Sequence, residues 1–401
     1  MHMSLKSLLA RAALSSEALG AALLPAYHRA VGPYWRRQAV RRREALCATY
    51  VAVTGSCGKS TTTMLTAALL AGQGTAASGM LRNTERQVWR ALRKLAGPVD
   101  AFVQEVSEFP RGTLARAAAA LRPDVAVVTS VDLDHLDAFR TRAAVADEMG
   151  TLTAAIGPGG AVCLNADDAG ARGLAGGAGA RIVRFGRAAD ADVRAENVTA
   201  ELPGRLGFDL VIGDRRRRVQ TRFAGTLMLT NVLAALAVVH ALGRDLDRAV
   251  ADLATIEPLR RRMSIIEVPG GHTLLLDTVK APVWSAQRLV DDLPNIWRGR
   301  RLFVLGELSD KGNNGGAKYR RVLRAAAARA DLAIGVLHAE SAARRLQQAE
   351  PDLPIAPAAG LAALEALLRD QPPSLVVFKG NSFDIDAMIE RLVAARAGAA
   401  A

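Results

Sequence analysis

Two α/β domains, each built on a mainly parallel sheet, are what this sequence predicts. Three observations carry the prediction. Short apolar runs alternate with helical segments from Thr49 onward, the pattern of strands joined by crossover helices. The first of these runs, TYVAVTG, leads straight into a glycine-lysine loop that opens a helix. Near Met263, after PLRRRM, a second alternation of the same kind begins.

Taken in order, residues 1 to about 46 read as helix and end in the basic cluster WRRQAVRRREAL. This segment, 1–48, is expected to pack on the domain behind it with its arginines in solvent. Docking on a membrane surface or a protein partner is the alternative. TYVAVTG is then a strand and SCGKSTTTMLTAALLAGQG turns into a helix. AFVQEVSE is a strand, RGTLARAAAALR a helix and DVAVVTSVDLDH a third strand, with GAVCLNADD and RIVRFG following as strands. Residues 192–223 alternate without helical period and suggest an antiparallel ribbon at the sheet's edge. LTNVLAALAVVHALG is an apolar helix closing that domain. In the second alternation HTLLLDTV, RLFVLGE, DLAIGVL and SLVVFKG are strands. AKYRRVLRAAAARA, LAALEALLRD and IDAMIERLVAARAG are its helices.

The bulk numbers exclude several classes. With 401 residues, half of them hydrophobic, the chain has enough apolar material for two or three domains with their own cores, and is not disordered. A formal charge of +13 suits an acidic partner, yet no dense Lys/Arg tract interleaved with aromatics follows Arg43, so no nucleic acid is expected. Cys47, Cys57 and Cys163 lie far apart and imply neither a disulfide framework nor a structural zinc site, which favours a reducing cytoplasm. No apolar run reaches the roughly 18–20 residues that a membrane span requires.

The loop VAVTGSCGKSTTT departs from the Walker A pattern, which would place glycine at Val53. It still has the parts of a phosphate cradle. Gly55 and Gly58 permit a tight path that aims backbone N–H groups from a helix N-terminus, and Lys59 supplies a point charge for terminal phosphates. Ser60 or Thr61 offers a hydroxyl to Mg²⁺. AFVQEVSE runs out at Glu105, where a parallel sheet presents its C-terminal edge to ligands and a carboxylate can hold Mg²⁺. DVAVVTSV ends in Asp132, Asp134, His135 and Asp137, and a histidine among carboxylates at a strand end is a metal-ligand candidate.

TGSCGKSTTT, Glu105, TSVDLDHLDAF, LNADD, FG, RRM and an Asp-led loop after a strand, in that order, resemble the Mur ligase family over roughly residues 49–390. That family includes peptidoglycan amino-acid ligases, folylpolyglutamate synthase, cyanophycin synthetase and poly-γ-glutamate ligases. Its loop reads TGTxGK(S/T), which accounts for Val53. The resemblance implies a P-loop three-layer central domain with a parallel sheet over 49–258. It implies a smaller doubly wound, Rossmann-like C-terminal domain over 259–401. It implies ATP and Mg²⁺ as cofactors: ATP phosphorylates a carboxylate, and an amine displaces the phosphate to leave an amide. Thr54, Gly55, Ser56, Cys57, Gly58, Lys59, Ser60 and Thr61 then hold the phosphates, with Arg262 reaching them from the domain boundary and Asp277 opening the second domain's nucleotide loop. Ser60 and Glu105 match first-metal ligands and His135 the second metal's. FVLGELSDKG, KAPVWS and VVFKGNS look like the ligase that adds D-alanyl-D-alanine, making Lys280, Glu307, Lys311, Lys379, Asn381 and Ser382 candidates for an amino-substrate pocket.

Four departures qualify the match. The segment before residue 49 does not build the family's UDP-sugar domain, so a UDP-MurNAc substrate is not expected. A lysine that many members carry as a carbamate falls at Glu148-Met149; either Glu148 stands in near the second metal or that metal is held differently. The poly-γ-glutamate ligases share both features. The family's Gly-x-His-Asn appears as Gly225 to Met228, without the asparagine that would read adenine. Lys280 replaces a histidine of the Asp loop. The reading is an ADP-forming ligase joining a carboxylate, on an acidic amino acid or peptide, to an amine through an acyl phosphate. A P-loop NTPase or phosphotransferase, or a nucleotide-binding regulatory subunit, is the alternative.

Overall fold

The computed structural model describes residues 17–133, 139–177, 179–268, 271–309, 315–381 and 386–397. The first part runs α1 (Glu17–Glu44), β1 (Thr49–Thr54), α2 (Lys59–Ala71), β2 (Ala76–Ser78), α3 (Glu85–Arg93), β3 (Ala101–Glu105), α4 (Thr113–Leu121) and β4 (Val125–Val128). It continues α5 (Arg142–Thr153), β5 (Ala161–Asn165), α6 (Ala169–Arg172), β6 (Arg181–Gly186), β7 (Val193–Thr199), β8 (Gly207–Ile212), β9 (Arg215–Gln220), α7 (Leu229–Ala241) and α8 (Leu246–Leu253). The second runs β10 (Arg262–Glu267), β11 (Thr273–Asp277), α9 (Val283–Ile296), β12 (Arg301–Leu305), α10 (Gly315–Ala327) and β13 (Leu332–Val336). It closes with α11 (Glu340–Ala349), β14 (Ile355–Ala358), α12 (Leu361–Arg369), β15 (Leu375–Lys379) and α13 (Asp386–Ala397).

Nine strands form the first sheet in the order β2-β3-β1-β4-β5-β6-β7-β8-β9. The pairs from β2 through β7 are parallel, and β7, β8 and β9 continue the edge as an antiparallel ribbon, where the sequence places one. Central strand β1 is buried on both faces, as crossover helices on either side of a parallel sheet require. Its side chains alternate: Val51 and Val53 face the cluster with Leu65, Leu69, Val232 and Leu236, whereas Tyr50 and Ala52 face the cluster with Val88, Leu92 and Leu114. Six strands form the second sheet, β10-β11-β15-β12-β13-β14, parallel except at the β10–β11 edge.

Helix α9 joins the two sheets. Its Leu289, Val290, Leu293 and Ile296 belong to the same buried cluster as Phe303 and Leu305 of the second sheet and Val51 of the first. Polar contacts reinforce the seam: Trp284 Nε1 donates to the Leu133 carbonyl at 3.1 Å, and Leu202 N donates to the Ile296 carbonyl at 2.9 Å.

Two arginines at the basic end of α1 bond within the chain, while Arg36, Arg37 and Arg41 are exposed. Arg42 donates to the Leu95 carbonyl at 3.0 and 2.7 Å, and Arg43 to the carbonyls of Leu121 and Arg122 at 3.1 and 3.0 Å. These guanidinium groups satisfy carbonyls just past the ends of α3 and α4, where a helix dipole favours a cation. Arg43 also sits 4.4 Å from the Tyr50 ring centroid. Among the described residues no helix is long and apolar enough to cross a membrane.

Candidate active site

The parallel register brings the chemistry to one edge. Val53 pairs with Glu105 and Thr54 with Val128, so β1, β3 and β4 end side by side and their following loops converge. Between β1 and α2 the chain turns through Gly55 at φ 137° and Gly58 at φ 82°. Ser56 N donates to the Ser130 carbonyl at 3.0 Å. The Ser56 hydroxyl donates to the Asp132 carbonyl at 2.8 Å and accepts from Asp132 N at 2.9 Å. Cys57 N donates to the Ser130 hydroxyl at 3.2 Å. The loop is thus stitched to the end of β4 by its own backbone and side chains, which fixes its path.

A cavity of about 330 Å³ opens above the loop. Ser56, Cys57, Gly58, Lys59 and Ser60 form one wall; Leu81, Asn83, Glu105 and Phe109 form another; Arg262, Asp277 and Lys379 of the second sheet, Lys280 of the loop after β11 and Ser285 of α9 complete it. Glu105 is almost completely buried and accepts from Leu81 N at 2.9 Å and from Asn83 Nδ2 at 2.8 Å. Two donors fix the carboxylate while leaving it acceptor capacity, and with the Ser60 hydroxyl on the same cavity the oxygen-only donor set fits Mg²⁺.

Lys59 is buried, donates to the Gly55 carbonyl, and lies 3.1 Å from Glu108 Oε2. Glu108 is wholly buried and was not legible as a site residue, because nothing in its spacing says that it turns back toward the loop. In the second sheet, register sets Asp277 beside both Arg262 and Lys379. Lys379 is 1% exposed; it pairs with Asp277 and donates to the Lys280 carbonyl at 3.0 Å and the Ser285 hydroxyl at 3.1 Å. It is therefore a fixed internal cation on the wall of this cavity.

Several other predicted residues fall elsewhere. Thr54 is buried at the end of β1 and Thr61 in the first turn of α2; neither borders the cavity, which leaves Ser60 as the hydroxyl presented there. Glu148 accepts from Gly112 N at 2.8 Å and Leu114 N at 3.2 Å, so both oxygens cap the start of α4 and the residue does not border this cavity. The two bonds fix the carboxylate against the start of α4, and like Glu105 it keeps acceptor capacity. Glu307 and Asn381 form a backbone bridge off the cavity wall. His135, Lys311 and Ser382 lie outside the described residues.

A second cavity of about 150 Å³ shares Cys57, Gly58 and Ser285 with the first. Asn165, Thr226, Leu227, Asn231, Trp284 and Arg288 complete much of its lining. Asn231, three residues past Met228, accepts from the Thr62 hydroxyl at 3.2 Å; it lies beyond the Gly225–Met228 motif, and nothing in its spacing marks it. The turn that carries Leu227 is held by α9: Asp292 accepts from Thr226 N at 2.7 Å, Leu227 N at 3.3 Å and Asn295 Nδ2 at 3.0 Å.

Burial holds the Asp292 carboxyl above the usual carboxylate range, against hydrogen bonds from Thr226, Asn295 and Leu227 that act the other way. With the folded value raised, the native state binds the proton more tightly, and this group's contribution to stability falls as pH climbs from the ordinary aspartate value through the raised one. Asp292→Asn should remove that slope and stay within about 1 kcal/mol of the parent at pH 7, since the amide keeps an acceptor for the two backbone N–H groups. Asp292→Ala should lose about 2–3 kcal/mol by stranding them. Urea unfolding at several pH values checks both.

Fold and loop together define a P-loop α/β protein whose glycine-lysine turn faces a cation-rich cavity completed by a second sheet. Residues 53–239 match the Mur ligase middle domain, and the chain belongs to the Mur ligase family. It is 31% identical over 287 residues to the UDP-N-acetylmuramoyl-tripeptide–D-alanyl-D-alanine ligase of Mycobacterium tuberculosis. That match covers 69% of this chain and 56% of the relative, so the chain spans little more than half of that protein's length. The enzyme of the same name from Escherichia coli K12 is 29% identical over 355 residues, 86% of this chain and 76% of that one. A crystal structure of MurF from Acinetobacter baumannii superposes with a TM-score of 0.78 at 21% identity, over 90% of this chain and 80% of that chain. The relatives carry a UDP-N-acetylmuramoyl substrate in their names, so the expected exclusion of such a substrate draws no support from them.

Proposed function

We propose that this chain is an ATP- and Mg²⁺-dependent ligase that joins a carboxylate to an amine through an acyl phosphate. The observation that carries the reading is one shared cavity: Lys59 and Ser60 of the phosphate loop, Glu105 of β3, Arg262 and Asp277 of the second sheet, and Lys280 of the loop after β11 all border it. Membership of the Mur ligase family and the names of the relatives support the same chemistry.

In this reading the first-turn N–H groups of α2 and the Lys59 ammonium hold the terminal phosphates. Ser60 and Glu105 hold Mg²⁺, which when bound neutralises charge on the phosphoryl group in flight. Arg262 offsets charge from the opposite side as an acceptor carboxylate oxygen takes the γ-phosphoryl and ADP leaves. The amine nitrogen then forms its bond to the acyl carbon as the bond to phosphate breaks. Residues 49–258 and 259–401 act as two units whose approach assembles the site and excludes water, so opening and closing belong to turnover. The second cavity, on the far side of Gly58, takes the nucleoside end of the nucleotide.

Lys59, Arg262, Lys280 and Lys379 outnumber Glu105 and Asp277 on the first cavity's wall, which favours an anionic acceptor. An acidic amino acid or peptide and a UDP-linked muramoyl peptide both meet that condition. The test is ATP turnover with a panel of both acceptor types and hydroxylamine in place of the amine. A hydroxamate whose formation depends on the acceptor is expected. ATP hydrolysis that ignores every acceptor, with no hydroxamate, would reduce the chain to a P-loop NTPase.

A further inference from the structure

Glu108 has no assigned task in the loop motif, yet it forms a buried ion pair with Lys59. Its side chain is wholly buried, and a buried carboxylate is tolerated only when it is paired. Its two oxygens lie 3.1 and 3.5 Å from the Lys59 ammonium, which also donates to the Gly55 carbonyl of its own loop. Flanking residues Ser107 and Phe109 border the phosphate-side cavity while Glu108 does not, so the carboxylate stands behind the wall that Lys59 forms. Any polyphosphate that reaches Lys59 must share the ammonium with a fixed negative charge a few ångströms further in.

We propose that Glu108 is a positioning residue for Lys59: it fixes the ammonium against the loop and offsets part of its charge, so that the nucleotide product is not held too tightly to leave. This inference rests on the nucleotide-binding reading above. A like charge within several ångströms of a phosphate, in surroundings of intermediate dielectric, is worth about tenfold in affinity.

The experiment is calorimetric binding of Mg-ADP to the full chain at fixed ionic strength, with steady-state kinetics alongside. Glu108→Gln keeps shape and an acceptor but removes the charge. It should bind ADP about tenfold more tightly, and should lower both the nucleotide KM and kcat. Glu108→Asp retracts the carboxylate by one methylene and should tighten ADP binding by roughly threefold, intermediate between parent and Gln. A purely structural Glu108 predicts the opposite sign, weaker ADP binding as the site loosens, and that result or unchanged affinity overturns the proposal. If Glu108→Gln does not fold, the Asp variant decides by the same criterion. A parent chain that binds no ADP would instead sink the nucleotide reading itself.

Discussion

Lys59→Ala is expected to lower acceptor-dependent ATP turnover by about 10³-fold or more, the scale of losing a preorganised charge at a phosphoryl-transfer site. From the loop motif alone the fold would be expected to survive the change untouched. The ion pair with Glu108 alters that expectation, because truncating the lysine leaves a wholly buried carboxylate without its counter-charge. Breaking one side of such a pair costs about 3–5 kcal/mol, so the alanine variant should also unfold at distinctly lower denaturant. The two losses can be separated. Lys59→Met combined with Glu108→Leu removes both charges and fills the space, and replacing a buried pair by apolar groups is often close to neutral. The double variant should therefore recover most of the lost stability while turnover stays at the alanine level. Urea unfolding and hydroxamate formation, measured on the same preparations, give the two readouts. Near-normal turnover in Lys59→Ala would remove the loop from phosphate chemistry altogether.

What the sequence makes legible follows from what it must encode locally. Strands β1, β3, β4, β5, β12, β13 and β15 are buried on both faces and write near-continuous apolar runs, which any reading finds. The ribbon at 193–220 shows in its alternation. Strand β2 has three residues and owes its place to pairing with β3, so nothing local announces it. Helix α3, ERQVWRALR, starts from a capping box between Thr84 and Gln87 that is easily passed over among charged residues. Helix α9 carries Pro294 in its interior and reads as broken, although it is the helix that joins the sheets. Strand β10 and helices α8 and α11 have mixed polarity and no strong local signal. At the site, the glycine-lysine loop and Glu105 are legible because motif and strand end coincide. The Lys59–Glu108 and Lys379–Asp277 pairs are not, since each depends on which way a side chain turns after distant strands are set in register. Glu148 shows the same limit: that its oxygens take the backbone N–H groups of Gly112 and Leu114 depends on how α5 lies against α4, which position along the chain does not announce.

The two loop glycines should respond differently to alanine, and the difference tests the loop's geometry. Gly55 has φ 137°, and a Cβ there would lie 2.1 Å from the Thr129 hydroxyl oxygen, 3.0 Å from Ser130 N and 3.1 Å from Thr129 N. Gly58 has φ 82°, and its Cβ would lie 2.1 Å from Asn231 Oδ1, the next two nearest atoms belonging to that same side chain. Gly55→Ala therefore meets backbone as well as a side chain in a conformation that L-residues avoid, and should cost on the order of 3 kcal/mol while abolishing ADP binding. Adding Thr129→Ala should not restore it, because the Ser130 and Thr129 amides remain in the way and the contact from Ser56 N to the Ser130 carbonyl would have to give. Gly58→Ala meets first the end of one side chain, which can turn aside, so it should cost less than Gly55→Ala, and Asn231→Ala beside it removes that obstruction and leaves mainly the left-handed backbone penalty of about 1–2 kcal/mol. Thermal melts of the four variants check this: rescue at Gly58 and none at Gly55 is expected. Equal rescue at both positions would mean that the loop is not held against β4 by the Gly55 approach, and that its phosphate-ready shape is formed only when the nucleotide arrives.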